Sequence, residues 1–253
     1  MKSLALEAGV PISEVLPKPG SPRTRNLVVA HNVTGVSVIG LPTGVVVRSL
    51  GSHADERGSH TEVFRQSGLP NAAAVLVNVV ESRSGVLRGP RLDARHVEHL
   101  VALSGRAIIG MIDCRPDSET FLAVCTVPLG VLDRAISIPA GVARAVWFPR
   151  GGATLHGLDA EWGTADEFRC RWDDPEFAIP WTRHGDEHPA RRLGGPVVSH
   201  RDATAGSFHD LLTGYHRHAH AGESARASIF VSSSVVGSSV ASSSMPTLAA
   251  SVG

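Results

Sequence analysis

Short apolar runs separated by turn-forming residues dominate the chain between Leu27 and Trp181. They include GVVVRSL, AAAVLVNVV, FLAVCTVPL and RAISIPAGVARAVWF. Runs of this length, rich in β-branched residues and bounded by turn signals, are typical of strands in a sandwich or barrel. Helical patterns are few and short, the best being residues 61–66, 129–134 and 207–213. The sequence therefore predicts an all-β fold with few short helices.

Composition divides the chain into three parts. Residues 1–26 contain Pro11, Pro17, Pro19 and Pro22, which predict an extended N-terminal arm. Residues 27–185 hold the strand-like runs and form the predicted barrel domain. Residues 186–253 are first Arg/His/Gly/Pro-rich and then dominated by Ser, Ala, Val and Gly. Such composition buries little specific surface, so we expect a low-complexity, disordered tail.

Charge and cysteine usage exclude several function classes. Lys+Arg and Asp+Glu both total 24, so no global basic field exists to attract nucleic acid or an anionic membrane. No uninterrupted apolar stretch approaches the ~18 residues that a membrane span needs. The three cysteines lack the paired spacing of a zinc site and favour a reduced, cytoplasmic setting. We therefore expect no nucleic-acid partner and no membrane partner.

Six motifs follow one another in a fixed order between Asp55 and Trp181. They are DERGSHTE, Asn78 followed by GVLRG, LVALSG, DCRPDSETF, IPAGVA and WDDPEFAIPW. Together they resemble the dTDP-4-dehydrorhamnose 3,5-epimerase family, sugar-nucleotide epimerases of the cupin superfamily. The resemblance implies a cupin double-stranded β-helix, that is, a β-sandwich barrel with the ligand in its mouth. It also implies a homodimer, often formed through an exchanged N-terminal strand.

The same resemblance implies which residues face a ligand. Arg57 and Arg88 match the arginines that hold the nucleotide diphosphate, and guanidinium groups suit phosphate oxygens because they donate in parallel pairs. Glu62 and Asn78 match further ligand-facing positions, and Trp162 matches a tyrosine of the family. An alternative is that Arg57 and Arg88 brace turns through carboxylates such as Asp55 or Glu62. Both interpretations stay open at this point.

The residues that would carry the family's chemistry are replaced. Epimerisation beside a ketone needs a base, a group that stabilises the enolate, and an acid. The positions of the family's histidine, supporting aspartate, tyrosine acid, lysine and second histidine hold, in this order, Arg91, Ile109, Trp162, Glu98 and Arg144. Arginine stays protonated and cannot act as a base. We therefore do not expect 3,5-epimerisation by the family's mechanism.

The resemblance also implies the positions that carry a metal in metal-binding cupins. They hold Arg91, Asp93, Glu98 and Arg144. Two permanent cations at ligand positions repel a divalent metal, so we expect no bound metal. No glycine-rich phosphate loop stands between a strand and a helix, so we expect no nucleotide cofactor and no cofactor of another kind.

Two roles remain open for these four residues. In the first, both arginines pair with Asp93 and Glu98 and fill the barrel with an ion network. In the second, Arg91 and Arg144 face the mouth and stabilise developing negative charge while a carboxylate, Glu98 or Asp93, or else His99 moves protons. His156 is a spare histidine for which the sequence predicts no function.

Three functional hypotheses follow. The first is a cofactor-free isomerase or cyclase acting on a small anionic or nucleotide-sugar-like molecule in deoxysugar or secondary metabolism. The second is a non-catalytic binding or scaffolding relative of the epimerases. The third keeps a dTDP-sugar as substrate with an unfamiliar acid and base. The size of the barrel cavity, and whether its arginines are all paired, separates the first hypothesis from the second.

Overall fold

The computed structural model describes residues 31–33, 36–38, 40–65, 76–161, 166–184 and 188–221. The predicted N-terminal arm at residues 1–26, the Ser-rich segment from residue 224 and Trp162 lie outside these residues.

Two five-stranded antiparallel sheets form the body of the protein. The first sheet has the strand order β10-β9-β12-β7-β14, and the second has the order β3-β11-β8-β13-β6. Strands β1 and β2 pair with each other, as do β4 and β5. The bounds are β1 (His31–Val33), β2 (Val36–Val38), β3 (Val46–Ser49), β4 (Ser52–Asp55), β5 (Gly58–Thr61), β6 (Leu76–Ser82), β7 (Val86–Asp93), β8 (Glu98–Gly105), β9 (Ala107–Asp113), β10 (Val124–Leu129), β11 (Arg134–Ile138), β12 (Val142–Phe148), β13 (Gly152–Leu158) and β14 (Glu167–Arg169). This architecture confirms the predicted all-β fold.

Helical structure in the described residues is confined to the C-terminal part. It consists of the 3-10 turns Trp181–His184 and Pro189–Arg191, the short α-helix His200–Ala203 and a helical stretch at residues 208–221. In the described ranges, no helix is long and apolar enough to cross a membrane.

The main core lies between the two sheets. On β9, Ile109 and Met111 point inward, and on β8 Leu100 and Ala102 do the same. All four are fully buried. Side chains two residues apart share a face of a strand, so this alternation places Glu98 of β8 on the inner face as well. The first residue of β8 therefore brings a carboxylate into the space between the sheets.

A second core covers the outer face of the first sheet. Every residue of β9 and of β12 is buried. The reason is that residues 170–184 and 188–216, here called the C-terminal segment, pack against the face of this sheet that points away from the other sheet. The covering side chains are Phe177, Ile179, Trp181, Phe208, Leu211, Leu212 and Tyr215. The compact unit ends at His216. The prediction of a disordered tail from residue 186 is therefore wrong for residues 188–216, which are a structural part of the barrel domain.

Truncating a C-terminal core residue tests this correction. Phe208 is 1% exposed, so we expect Phe208→Ala to lower the free energy of unfolding by about 3–5 kcal/mol, the usual cost of deleting a buried aromatic ring. Urea unfolding followed by tryptophan fluorescence measures the change. Leu193→Ala is the control, because Leu193 is 98% exposed and its truncation should leave stability unchanged. Equal effects of the two substitutions would contradict the packing described here.

Candidate ligand cavity and its buried ion network

A cavity of about 570 Å³ opens between the two sheets. Strands β7 and β12 of the first sheet and β6, β8 and β13 of the second sheet form its walls, with β14 and residues 197–202 closing one side. The lining residues are Asn78, Val80, Val86, Leu87, Arg88, Gly89, Arg91, Glu98, Arg144, Val146, His156, Leu158, Arg169, Val197, Val198, Ser199, Arg201 and Asp202. Its volume is in the range of small-molecule sites, ~300–1,000 Å³.

A β-bulge in β7 turns two arginines toward this cavity. Arg91 lies opposite Arg144 of β12, whereas Arg88 lies opposite Val146, so three steps on β7 match two steps on β12. Residues three apart on a regular strand face opposite sides of the sheet. The extra residue of the bulge brings the side chains of Arg88 and Arg91 to the same side. At Gly89, φ is +85° and an added Cβ would lie 2.9 Å from the carbonyl oxygen of Arg144. Glycine is therefore required at this position of the RG motif.

Glu98 is the centre of an ion network that joins the two sheets. Its carboxylate oxygen Oε1 accepts hydrogen bonds from Arg91 Nη2 at 2.5 Å and from His156 Nδ1 at 2.9 Å. Its other oxygen, Oε2, forms an ion pair with Arg144 Nε. The side chain of Glu98 is 2% exposed and that of Arg144 is 4% exposed. Four strands, β7, β8, β12 and β13, thus meet at one buried carboxylate.

Electrostatics keep this carboxylate ionised. Burial alone would raise the pKa of Glu98, but the charges of Arg144 and Arg91 and the hydrogen bond from His156 hold it well below the usual value of 4.5. Burial would likewise lower the pKa of Arg91, but Glu98 and Glu167 outweigh it and raise that pKa. Glu98 is therefore a poor proton acceptor at neutral pH.

A second group of charges lies beside the first, where the C-terminal segment meets β14. Glu167 pairs with Arg169 at 2.8 Å, with Arg201 at 3.0 Å and with Arg91 at 3.7 Å. Asp202 forms an ion pair with Arg169 and accepts a hydrogen bond from the Ser199 hydroxyl at 2.8 Å. These contacts fix residues 199–202 against the cavity.

The cavity carries a surplus of positive charge. Of its described lining residues, five are arginines, whereas only Glu98 and Asp202 are carboxylates. Even with Glu167 included, guanidinium groups outnumber carboxylates. The guanidinium of Arg88 donates to two neutral oxygens, Ser82 Oγ at 2.9 Å and the Glu81 carbonyl at 2.8 Å. Because both acceptors are uncharged, neither hydrogen bond neutralises the positive charge of Arg88.

Five of the predicted site residues line the cavity. They are Asn78, Arg88, Arg91, Glu98 and Arg144. Both inner arginines pair with Glu98, as in the first of the two roles that the sequence left open, but the cavity beside them is open rather than filled.

Asp93 does not join this group. Its Oδ1 accepts the backbone N–H groups of Arg95 at 3.1 Å and of His96 at 2.9 Å, which stabilises the turn after β7. The negative charge of Asp93 also acts on Arg91 and Arg144, so its role beside the two arginines stays a prediction.

Two predicted ligand residues lie away from the cavity lining. Arg57 pairs with Asp55 at 2.6 Å in the β4–β5 hairpin, and its side chain is 83% exposed. Glu62 accepts from Arg65 Nε at 2.8 Å on the surface. Arg57 and Glu62 do not line this cavity, so their assignment to a ligand site stays a prediction, and Arg57 here pairs with a carboxylate of its own turn. Trp162, the remaining predicted ligand residue, lies outside the described residues.

Sequence reasoning missed four residues of the site. His156 lies on β13, and its contact with Glu98 spans 58 positions of the chain. Arg169 lies three residues before Trp172 of the WDDPEFAIPW motif, whereas Arg201 and Asp202 belong to the segment predicted as a tail. A signal for His156 was present, since it alternates with Thr154 and Leu158 on one face of a strand.

The sequence and the fold of this chain are similar to those of known proteins. A family model for dTDP-4-dehydrorhamnose 3,5-epimerase matches residues 42–210. The chain belongs to the dTDP-4-dehydrorhamnose 3,5-epimerase family. A curated dTDP-4-dehydrorhamnose 3,5-epimerase from Streptomyces griseus is 27% identical over 161 residues, which cover 60% of this chain and 76% of that protein.

Solved epimerases share the fold. The epimerase of Mycobacterium tuberculosis superposes with a TM-score of 0.60 at 24% identity, covering 74% of this chain and 92% of that chain. The dTDP-4-dehydrorhamnose 3,5-epimerase of Elizabethkingia anophelis gives a TM-score of 0.59 at 22% identity, covering 69% and 97% of the two chains. At these identities the likeness shows the cupin-like β-sandwich fold alone, which confirms the predicted architecture.

Removing the central carboxylate of this family member tests the ion network. We expect Glu98→Gln to lower the free energy of unfolding at pH 7 by about 3–5 kcal/mol, because Arg91 and Arg144 stay buried without their counter-charge. The pKa of folded Glu98 is lowered, so its stabilisation is present above the usual value of 4.5 and is lost as the pH falls through the folded value. The difference in the free energy of unfolding between the wild type and Glu98→Gln should therefore shrink as the pH falls below the pKa of folded Glu98.

Urea unfolding at a series of pH values measures this difference. Glu62→Gln is the control, because the Glu62–Arg65 pair is on the surface and should contribute nothing measurable. A Glu98→Gln protein as stable as the wild type at pH 7 would contradict the network.

Proposed function

We propose that this protein binds a small anionic molecule of the nucleotide-sugar kind in the cavity between its sheets and isomerises or cyclises it without a cofactor. The observation that carries the proposal is the surplus of guanidinium groups around a cavity of about 570 Å³. An anion neutralises this surplus, and guanidinium groups bind phosphate and carboxylate oxygens with paired hydrogen bonds.

Ligands of solved relatives support the class of molecule. The Streptomyces bikiniensis 3'-monoepimerase was solved in complex with dTDP-quinovose, and the Legionella pneumophila epimerase in complex with dTDP-4-keto-L-rhamnose. Both molecules combine an anionic diphosphate with a sugar. We extend this class to the present chain because Arg88, in the RG motif, lines its cavity. Its guanidinium group donates to two uncharged oxygens, so its positive charge can attract an anionic ligand.

The charge pattern favours chemistry without a metal. Arg91 and Arg144 lie on both sides of Glu98, so a divalent cation there would meet two positive charges at close range. In the described part of the chain, no group of three or more His, Cys, Asp or Glu side chains has a geometry suited to a metal ion. The same guanidinium groups can stabilise the negative charge that develops on a carbonyl oxygen when a neighbouring carbon loses a proton.

A non-catalytic binding or scaffolding relative is the second candidate function. It is favoured by the burial of Glu98 and Arg144, because their ion pair links the two sheets as a structural cross-link would. On either function, a homodimer, a cytoplasmic location and a place in deoxysugar or secondary metabolism stay predictions.

Binding of dTDP tests the proposed site. We expect isothermal titration calorimetry to show dTDP binding, and Arg88→Ala to weaken it about 10- to 100-fold, because a charge-assisted hydrogen bond contributes about 1.5–3 kcal/mol. Arg171→Ala is the control, since Arg171 pairs with Asp173 on the surface and lies outside the cavity lining. Absence of dTDP binding to the wild type, or equal affinity in Arg88→Ala, would contradict the proposal.

A further inference from the structure

A cavity that moves a proton needs a side chain that gains and loses one near neutral pH. The five lining arginines stay protonated. Glu98 is held ionised by two of them, and Asp202 is bonded to Arg169 and Ser199. Among the described lining residues, this leaves His156 as the side chain whose type exchanges protons in that range.

The hydrogen bonds of His156 orient its ring. Nδ1 lies 2.9 Å from Glu98 Oε1, and Nε2 lies 2.9 Å from Thr154 Oγ1. An ionised carboxylate only accepts hydrogen bonds, so Nδ1 carries the proton of the neutral ring. Nε2 then has a lone pair, which accepts the hydroxyl proton of Thr154. His156 is therefore arranged as a base, with a carboxylate behind it and its basic nitrogen held by a weak donor.

Strand geometry places this pair at the junction of the two sheets. His156 lies opposite Asn78 of β6 on one side and opposite Leu100 of β8 on the other. Arg91 and Arg144 reach Glu98 from the facing sheet. A ligand bound beside His156 therefore meets guanidinium groups from the opposite wall.

We propose that His156, paired with Glu98, is the acid–base residue of this cavity, an inference that rests on the proposed function. It assigns the proton-handling role to β13, whereas the family resemblance implies a histidine at the position of Arg91 on β7. Glu98 acts through His156 as a positioning residue, and the Thr154 hydroxyl holds Nε2 in the structure.

The proton balance of the step is simple. Nε2 of His156 takes the proton from a carbon next to a ketone, and the C–H electron pair forms a C=C bond while the carbonyl π pair moves to oxygen. The enolate oxygen is stabilised by a guanidinium group of the opposite wall, and the imidazolium by Glu98. The imidazolium then exchanges its proton with water and returns a proton to the enolate carbon, so that a hydrogen from solvent replaces the one removed. No electrons are gained or lost overall, so no oxidant or reductant is consumed.

Deuterium exchange tests the role of His156. The probe is dTDP-4-keto-L-rhamnose in D₂O, with mass spectrometry following exchange at the carbons next to the keto group. We expect exchange in the wild type and a rate at least about 100-fold lower in His156→Gln, since acid–base catalysis contributes ~10²–10⁴-fold. His156→Gln should still bind dTDP, measured by calorimetry, with affinity unchanged within about threefold, because the arginines are intact.

A matched control is His99→Gln. His99 is also buried, on the strand next to β13, but its Nδ1 bonds Ser137 Oγ at 2.7 Å and it is absent from the cavity lining. Its exchange rate should match that of the wild type.

The outcomes separate the two proposals. Lack of dTDP binding by the wild type would reject the anion site itself. Binding without exchange in the wild type, or equal exchange in His156→Gln, would overturn the role of His156 and leave the anion site standing.

A second measurement needs no substitution and no substrate. In ¹⁵N NMR spectra of the wild type, recorded at a pH where the ring of His156 is neutral, the tautomer with the proton on Nδ1 should be observed, as the contact with Glu98 requires. The tautomer with the proton on Nε2 would overturn the inference, because the nitrogen facing Thr154 would have no lone pair for a substrate proton.

Discussion

The buried carboxylate of Glu98 is the constraint on which the rest of the site depends. A carboxylate with 2% exposure is stable between two sheets only when counter-charges and hydrogen bonds replace the water it has lost. Arg91, Arg144 and His156 supply them, and each comes from a different strand. This one set of contacts therefore joins the two sheets at this end of the sandwich. It also keeps the carboxylate of Glu98 ionised inside the cavity.

The C-terminal segment completes the cavity that this network begins. Its apolar side chains cover the outer face of the first sheet, and residues 197–202 then reach the edge of β7, where Val197 pairs with Val86. Glu167 and Asp202 hold Arg169 and Arg201 beside the opening. The wall of the site and the outer core are thus formed by one continuous stretch of chain, so that the shape of the cavity depends on how well this stretch packs.

Most of the fold could be predicted from sequence, because apolar runs with turn signals are local and the ordered motifs are specific. Four of the residues that these motifs singled out, Arg88, Arg91, Glu98 and Arg144, line one cavity. The hydrogen bonds of Asp93 to backbone amides of the next turn could not be predicted, because a motif does not encode them.

His156 was overlooked because its partner lies on another strand of the sheet, and pairing of distant strands cannot be read from spacing. The C-terminal segment was misjudged from its composition. A clue lay elsewhere in the chain: AIIGMID and VARAVWF are apolar or small at nearly every position, a pattern of strands that are buried on both faces. Such strands require a cover, and side chains of residues 177–181 and 208–215 contribute it.

The most direct test of the account is an NMR titration of the Glu98 side-chain carboxyl carbon in ¹³C-labelled protein. We expect this carbon to keep the chemical shift of an ionised carboxylate as the pH is lowered through the usual glutamate pKa of 4.5. A carbon that titrates at or above that value would contradict it, because Glu98 would then lack the two guanidinium partners around which the cavity is built.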